Sequence, residues 1–372
     1  MRLVVFGSGH PFRGGIARTT TEMVSGLEGR GHEVLYLTPR NQYPSWLFPG
    51  ASDRDPGACR QLECSRAVLE PMNPFSWPAG RKDAEAFRGD AWIVPYWTWA
   101  WAGLWRFLLG GAHPPAVAVV HNPADHDSGM VRRRAAGSVL RRCQALFTHA
   151  GSLERHLAEV YPGIPSGSYP FPSTEVEPLP EKGVARAELD LPPNRRVALF
   201  MGLIRPYKGV DLLIEAAADL PETSDWFVVV AGEPWGGLES ALRRQVRDLE
   251  LDDRVRLALQ WVPEGDVPRL LAAADLIVLP YSSGSQSAVA PMALAAGVPV
   301  LSSSVGGLPE IVRHGEDGWL IDPGSKEALT KALVELDGPT VERLARGAIE
   351  GRDRFTWNGY AGALEQLIAR VV

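Results

Sequence analysis

Residues 200–211, FMGLIRPYKGVD, combine a strand end, a glycine turn, two cations and the start of a helix. A glycine lets backbone N–H groups approach a ligand, and the N-terminal end of a helix dipole favours an anion. Arg205 and Lys208 add charge and hydrogen-bond donors of the kind that a diphosphate requires. The segment predicts a phosphate site around Gly202, Arg205 and Lys208; the alternative is a loop with two solvated cations.

A second segment with accessible backbone, residues 281–300, reads YSSGSQSAVAPMALAAGVPV. Its small residues at 282–288 leave N–H groups accessible beside a predicted helix N-terminus, which is another place to seat a phosphate. We assign Gln286, Ser287, Ala288 and Val289 to this site. Taken alone the signal is weak, because a loop rich in serine and glycine is often only a loop.

The N-terminal glycine-rich loop, GSGHPFRGG at residues 7–15, follows the first strand and opens the first helix. It begins like a dinucleotide fingerprint, but Phe12 stands where the third glycine belongs. The second strand, LYLTPR, has no acidic residue at its end, which argues against a nicotinamide-dependent dehydrogenase. Gly14 and Gly15 would still let the loop approach a phosphate or a sugar; a tight turn needed for packing is the alternative.

His121 and Asn122 follow the predicted strand at residues 116–120. The carboxyl ends of parallel strands are favoured positions for ligand sites, so we expect His121 in a site, with a structural histidine as the alternative. Asn122, His126 and Asp127 follow His121 closely and are expected to contact a ligand in the same site.

Two runs of alternating strands and helices must position these residues. The first has strands near 3–6, 33–37, 91–94, 116–120, 145–148 and 167–169, and helices that include 16–30 and 131–142. The second has strands near 196–201, 226–230, 254–258, 276–279, 298–302 and 319–321, and helices near 210–219, 238–249, 268–274, 289–296 and 326–335. Continuous apolar runs such as LIVLP are typical of parallel strands buried on both faces.

This alternation predicts an α/β protein with two Rossmann-like domains whose parallel sheets face each other across a cleft. We expect the domains at residues 1–175 and 176–355, with residues 161–194 as a linker rich in proline, glycine and serine. A helix within residues 356–372 is expected to cross back to the first domain.

Composition narrows the class of protein. The chain has 372 residues, 45% of them hydrophobic and 22% charged, which is ordinary for a globular protein of two domains. A net charge of -6 argues against a general nucleic-acid binder. The three cysteines lack Cys-x-x-Cys spacing, which argues against a disulfide framework and a zinc site. The N-terminus enters a strand without a signal-peptide pattern, so we expect the protein to reside in the reducing cytoplasm.

Two segments raise the question of a membrane. Residues 91–109 are apolar, but Pro95 and Arg106 interrupt them, and a buried strand followed by an aromatic helix explains them more simply than a membrane span. The tryptophans of this segment either line an acceptor site or pack in the core. The arginines at 132–134, 141 and 142 form a basic stripe that is a solvated face, or alternatively contacts an acidic acceptor or an anionic lipid surface.

Five ordered blocks carry a family resemblance: PYKGVD, ADLIVLPY, ALAAGVPVL, GGLPEIV and GEDGWLIDPG. In order and spacing, over residues 196–336, they resemble the retaining glycosyltransferases of family 4, which have the GT-B fold. The N-terminal GGIARTT and RGHEVLYLTP are similar to the first helix and second strand of that family. Residues 40–110 match only loosely, in the region where acceptor specificity resides.

The resemblance implies a retaining transfer of a sugar from a nucleotide-diphosphate sugar, UDP- or GDP-linked, to a hydroxyl of a glycan, lipid or small molecule. It assigns diphosphate binding to Lys208, contact with the donor sugar to His121, and donor binding also to Val262 and Glu310. The residues expected on the acceptor side are Asn122, His126 and Asp127. The resemblance implies neither a metal nor a cofactor, because the domains supply their own cations. Asp125-x-Asp127 is similar to the metal-binding pair of the other main glycosyltransferase fold, and we interpret this similarity as a coincidence.

Two departures from the family pattern stand out. The family arginine directly follows the glycine of the phosphate strand, and here Leu203 occupies that position; we expect Arg205, on the same side of an extended segment, to replace it. The family also has two glutamates eight residues apart, where this chain has Gly284 and Met292. Donor-sugar identity is therefore open.

The expected activity is that of a hexosyltransferase in which the phosphate site stabilises the charge on the departing nucleotide. The alternatives are a degenerate GT-B protein that binds a sugar nucleotide without transferring it, and a GT-B sugar-nucleotide epimerase.

Overall fold

The computed structural model describes residues 1–42, 53–54, 62–122, 129–172 and 178–372. They divide into two compact units: Met1–Pro170 with Thr356–Val372 form the first unit, and Phe171–Phe355 form the second. The expected boundary after residue 175 lies outside the described residues.

In the described part of the first unit, seven parallel strands form one sheet in the order β3-β2-β1-β4-β5-β6-β7. The strands are β1 (Arg2–Phe6), β2 (Glu33–Pro39), β3 (Ser65–Leu69), β4 (Ala91–Tyr96), β5 (Ala116–Val120), β6 (Ala145–Thr148) and β7 (Ser166–Ser168). The helices are α1 (Gly15–Gly29), α2 (Trp77–Phe87), α3 (Ala102–Leu108), α4 (Met130–Leu140) and α5 (Gly151–Val160).

The apolar runs of this sheet are buried on both faces. In β1, Val4 and Phe6 belong to one hydrophobic cluster, and Leu3 and Val5 belong to the cluster on the opposite face. The aromatic segment completes the first cluster, since Trp92, Trp101 and Trp105 are fully buried. Core packing therefore accounts for these rings, whereas Trp99 is 46% exposed.

The second unit, over its described residues, contains a six-stranded parallel sheet in the order β10-β9-β8-β11-β12-β13. Its strands are β8 (Arg196–Met201), β9 (Trp226–Ala231), β10 (Val255–Ala258), β11 (Leu276–Leu279), β12 (Val300–Ser303) and β13 (Gly318–Ile321). Its helices are α6 (Lys182–Glu188), α7 (Val210–Ala218), α8 (Leu238–Asp248), α9 (Val267–Ala273), α10 (Val289–Ala295), α11 (Leu308–Ile311), α12 (Lys326–Glu335) and α13 (Gly338–Gly351).

The last helix, α14 (Trp357–Ile368), belongs to the first unit and packs against α1. The two helices approach closely at Gly26, where an added Cβ would lie 3.2 Å from Ala361 Cβ and from the Trp357 carbonyl oxygen. Arg30 pairs with Glu365 at 2.7 Å across the same contact.

The prediction of a linker was wrong for part of its range, and some elements were not predicted. The expected linker at 161–194 contains α6, which packs against α9 and carries Arg186, a buried side chain paired with Asp275. Burial of an arginine that has a carboxylate partner fixes this segment to the second unit although its composition is that of a loop. The elements β3, α2, α5 and α13 were not predicted at all.

Both sheets have a topological switch point beside their first strand. In the first unit β1 lies between β2 and β4, and in the second β8 lies between β9 and β11. Ligands of open α/β sheets bind outside the carboxyl ends of the strands at such a point. The loops after β8 and β11 are thus the expected binding elements of the second unit.

Candidate functional site

The loop after β8 places Lys208 over the glycine turn. Gly202 has a φ of +119°, and a Cβ added there would lie 3.7 Å from Lys208 Nζ. The same Cβ would lie 3.9 Å from Val289 Cγ2, so the first residue of α10 also borders the turn. A glycine is needed here because L side chains rarely adopt this φ and because a side chain would fill the space beside the ammonium group.

Lys208 carries its charge without a carboxylate partner among the described residues; its Nζ lies 5.6 Å from the centroid of the Tyr281 ring. Burial lowers the pKa of Lys208 from 10.5, and the positive charge of Arg205 lowers it further, while Tyr207 acts in the opposite direction. The negative charge of a bound anion would offset both lowering effects by stabilising the protonated ammonium group, as expected of an anion site.

Arg205, the second cation, lies in extended backbone before a 3₁₀ turn at Pro206–Lys208. Its guanidinium carbon lies 4.5 Å from the centroid of the Trp235 ring, and none of the described carboxylates pairs with it. Trp235 is held by the same loop, since its backbone N–H donates to the Ile204 carbonyl at 2.9 Å. Sequence reasoning missed Trp235, which is distant in sequence and belongs to no recognised motif.

The loop after β11 is bonded to the loop after β8. Backbone N–H and hydroxyl of Ser282 both donate to the Tyr207 carbonyl, at 2.8 and 3.2 Å. Gly209 also lies close to the residue that follows β11, because a Cβ added there would lie 2.2 Å from the Pro280 carbonyl oxygen. The structure therefore brings together the two segments that the sequence assigned separately to phosphate binding.

Ser287 organises the start of α10. Its hydroxyl accepts from the Val289 N–H at 3.2 Å and lies 3.4 Å from the Tyr281 hydroxyl. Burial raises the pKa of Tyr281 to about 12, so the hydroxyl stays neutral. Ala288 precedes the helix, and Gln286 is half-buried in the loop before it.

A third segment, at residues 306–310, packs against the loop after β11. The Gly307 N–H donates to the Ser285 carbonyl at 2.9 Å, and a Cβ on Gly306 would lie 2.2 Å from the Gly284 carbonyl oxygen. The glycine pair thus permits close packing on the loop. Glu310 follows in α11 and is half-buried.

Gly284, at the position of the first family glutamate, has a backbone conformation that favours glycine. Gly284 has a φ of +138°, and the ring of Tyr207 lies 3.5 Å from where its Cβ would be. Met292, at the second glutamate position, is buried in the core of the second unit. Val262 packs against that same core after β10, and no described contact joins it to the Lys208 turn.

In the first unit, His121 lies directly after β5 and its backbone N–H donates to the Tyr96 carbonyl at 2.9 Å. Its imidazole Nδ1 lies 3.0 Å from Nε2 of His149, which follows β6. Burial lowers the pKa of His121 to about 3, and burial together with the neighbouring His121 places the pKa of His149 well below its usual value. His149 was missed, although a second polar residue after an adjacent strand was a usable signal.

The other predicted residues of this unit, where the structure describes them, lie in loops after strands or at the start of helices. Gly14 and Gly15 begin α1, are exposed, and have no atoms within 4 Å of an added Cβ. Asn122 is half-buried, whereas His126 and Asp127 lie outside the described residues. Arg132–Arg134 are exposed on α4, with Arg132 5.8 Å from the Trp99 ring centroid.

The described ranges lack both a metal-binding cluster and a membrane-spanning helix. They contain no group of three or more His, Cys, Asp or Glu residues arranged to hold a metal ion. They also contain no helix with the length and apolarity that a bilayer crossing needs.

Comparison with known proteins decides the family. Residues 181–348 match the family model described as Glycosyl transferases group 1, and residues 13–167 match Glycosyltransferase Family 4. D-inositol 3-phosphate glycosyltransferase from Corynebacterium glutamicum is 30% identical over 294 residues, which are 74% of this chain and 70% of that protein. The chain belongs to the family 4 glycosyltransferases.

A second relative of this glycosyltransferase covers less of each chain. The D-inositol 3-phosphate glycosyltransferase from Thermobispora bispora is 36% identical over 196 residues, 50% of this chain and 46% of that protein. The expectation that the protein is a transferase is confirmed by these matches.

Solved structures confirm the GT-B fold of this family 4 glycosyltransferase. Sucrose-phosphate synthase from Thermosynechococcus elongatus superposes with a TM-score of 0.79 at 19% identity, covering 100% of this chain and 99% of that chain. HepE from Anabaena, in complex with UDP-glucose, gives 0.77 at 17% identity over 98% and 99% of the two chains. At these identities the likeness concerns the fold alone.

Proposed function

We propose that this glycosyltransferase transfers a hexose from a UDP- or GDP-linked sugar to a hydroxyl acceptor with retention at the anomeric carbon. The observation that carries the proposal is the pair of cations, Lys208 and Arg205, beside the Gly202 turn at the switch point of the second sheet. Neither cation has a carboxylate partner among the described residues, so both charges are available to a diphosphate.

A nucleotide-sugar donor is also supported by the structural neighbours. HepE from Anabaena has been solved with UDP and with UDP-glucose. By analogy, the diphosphate would lie on Gly202, Lys208 and the loop residues Gln286–Val289, with Glu310 and Val262 as further donor contacts. His121 would contact the substrate, and Asn122, His126 and Asp127 would belong to the acceptor side.

In the proposed reaction, the bond between the anomeric carbon and the β-phosphate oxygen breaks, and a bond from that carbon to the acceptor oxygen forms. The acceptor hydroxyl proton passes to the departing phosphate oxygen on the same face of the sugar, which preserves the configuration. Lys208 and Arg205 stabilise the negative charge as it develops on the leaving diphosphate, and this lowers the barrier. No protein base is needed for this balance.

The names of the relatives indicate which acceptors to test. The relatives are named for D-inositol 3-phosphate, so phosphorylated cyclitols belong in an acceptor panel beside glycans and lipids. Family membership favours transfer over the epimerase and binding-only alternatives.

The test is a panel of UDP-, GDP-, ADP- and TDP-sugars offered to the purified protein, with thermal stabilisation and slow donor hydrolysis followed together. We expect one donor to stabilise the protein and to be hydrolysed, with Lys208→Ala abolishing turnover. Lys331→Ala is the matched control, because that lysine is 74% exposed and, within the described part of the chain, pairs only with Glu335 one helical turn away. Equal turnover in wild type and Lys208→Ala would refute the assignment.

A further inference from the structure

Two buried imidazoles lie side by side at the carboxyl edge of the first sheet. β5 and β6 pair with Val120 opposite Thr148, so the residues that follow, His121 and His149, are brought together. Their ring centroids are 4.5 Å apart and the joining nitrogens, Nδ1 of His121 and Nε2 of His149, are 3.0 Å apart. His121 is 8% exposed and His149 is 1% exposed.

One proton serves the bond between these rings. A neutral imidazole has one N–H, so one histidine donates and the other accepts. If His149 donates, His121 keeps its proton on Nε2 and offers a donor there. If His121 donates, its Nε2 is bare and offers an acceptor. The tautomer of His149 therefore determines what His121 presents.

The ring of His149 is itself held in place by the C-terminal helix. Tyr360 of α14 stacks on His149 with an interplanar angle of 18° and a centroid distance of 5.6 Å. Tyr360 is fully buried and is packed edge-on by Phe147, at 5.1 Å, and by Trp357, at 5.3 Å. Rotation of the His149 ring out of its plane would break this stack, and a 180° flip within the plane would break the hydrogen bond of Nε2 to His121.

We propose that His149 is a positioning residue of the glycosyltransferase that fixes the orientation and tautomer of His121, and that Tyr360 holds His149 for this purpose. The inference rests on the proposed function, in which His121 contacts the substrate. Burial keeps both rings neutral, which suits a pair that directs a hydrogen bond and does not carry a charge.

The experiment compares His149→Phe, which keeps a ring against Tyr360 but cannot hydrogen-bond, with His149→Gln, whose terminal amide reaches the position of Nε2. His156→Phe is the control, since it makes the same change at an exposed residue of α5. Donor hydrolysis gives kcat and KM, and the ¹⁵N shifts of the His121 ring, assigned with His121→Gln, report its tautomer.

We expect His149→Phe to lower kcat about tenfold, with a mixture of His121 tautomers in place of one. His149→Gln should recover most of the turnover, and His156→Phe should match wild type. Tyr360→Leu should lower kcat more than Tyr360→Phe, which keeps the stacked ring. If His149→Phe does not fold, His149→Asn replaces it, because its amide is too short to reach His121 Nδ1.

Wild-type kcat in His149→Phe, or in His149→Asn where that variant is used, would overturn the proposal, as would an unchanged His121 tautomer. Failure of the proposed function looks different: the wild-type protein would then hydrolyse none of the donors. The ¹⁵N spectra need no donor, so they show in either case whether His149 sets the His121 tautomer.

Discussion

The ammonium nitrogen of Lys208 lies against the bare Cα of Gly202, 3.7 Å from where a Cβ would be. The glycine leaves room beside the cation, and the positive φ of +119° turns the chain out of β8 toward the 3₁₀ turn that carries Lys208. A charge beside an open backbone turn, without a described carboxylate partner, is the arrangement from which the phosphate site is inferred.

Gly202→Ala tests this relationship. We expect a loss of about 1–2 kcal/mol in stability from the positive φ, and loss of donor binding because the methyl group fills the space beside Lys208. Gly324→Ala is the comparison, because Gly324 also has a positive φ, +72°, but has nothing within 4 Å of an added Cβ. Both variants should melt earlier, whereas only Gly202→Ala should lose stabilisation by the donor. Equal donor binding in the two would contradict the predicted site.

Trp235→Leu tests whether stacking positions Arg205. Without the ring, 4.5 Å from the guanidinium carbon, Arg205 samples more rotamers, and we expect UDP or GDP affinity to fall about threefold to fivefold. Trp235→Phe should lose less, since it keeps an aromatic face. Calorimetric titration with the nucleotide measures the effect, and Arg205→Ala sets the upper limit of the loss. If Arg205→Ala binds like wild type, Arg205 does not replace the family arginine.

Lys208 predicts an alkaline limit to donor binding. Its pKa is lowered from 10.5 by burial and by Arg205, so it loses its proton at a lower pH than an ordinary lysine does. Anion binding requires the protonated form, and affinity should therefore decrease as pH rises toward 10.5. Lys208→Arg keeps its charge throughout, so any binding it retains should not decrease in that range. Identical alkaline profiles would assign the limit to another group.

The buried histidine pair predicts acid sensitivity of the fold. The pKa of His121 falls from 6.5 to about 3 on folding, so the unfolded chain binds more protons than the native protein in that interval. Stability is unaffected well above pH 6.5 and decreases below it, by about 2 kcal/mol between pH 7 and pH 5 for this residue alone. Denaturation of wild type and His121→Gln at both pH values measures the difference. The variant should lose less stability on acidification; an equal loss would contradict the buried neutral state.

Local pattern was enough to predict the fold class and to place a glycine and two cations in one loop. Continuous apolar runs identify strands buried on both faces, and the glycine, Arg205 and Lys208 lie within seven residues of one another. Their spacing is set by the chain itself, so it is readable without tertiary structure. The five ordered blocks indicated the family for the same reason, because each block is a continuous stretch of the chain.

Packing decided the features that local pattern misrepresented. Residues 182–188 have the surroundings of a linker, yet the pairing of Arg186 with Asp275 holds them as a helix. The tryptophans at 92, 101 and 105 suit an acceptor surface as well as a core in sequence, and full burial assigns them to the core. Propensity is a weak prior that tertiary contacts override.

Contacts between distant segments could be found only in the folded chain. His121 and His149 are separated by 28 residues and become hydrogen-bonded because β5 and β6 are parallel neighbours in register. Tyr360 reaches His149 because α14 packs within the first unit, and Trp235 reaches Arg205 through the loop after β9. The sequence by itself determined the strand–helix order and the charges at each strand end. Which of those ends meet is set by strand order and helix packing, since only the paired sheet brings such residues to hydrogen-bond distance.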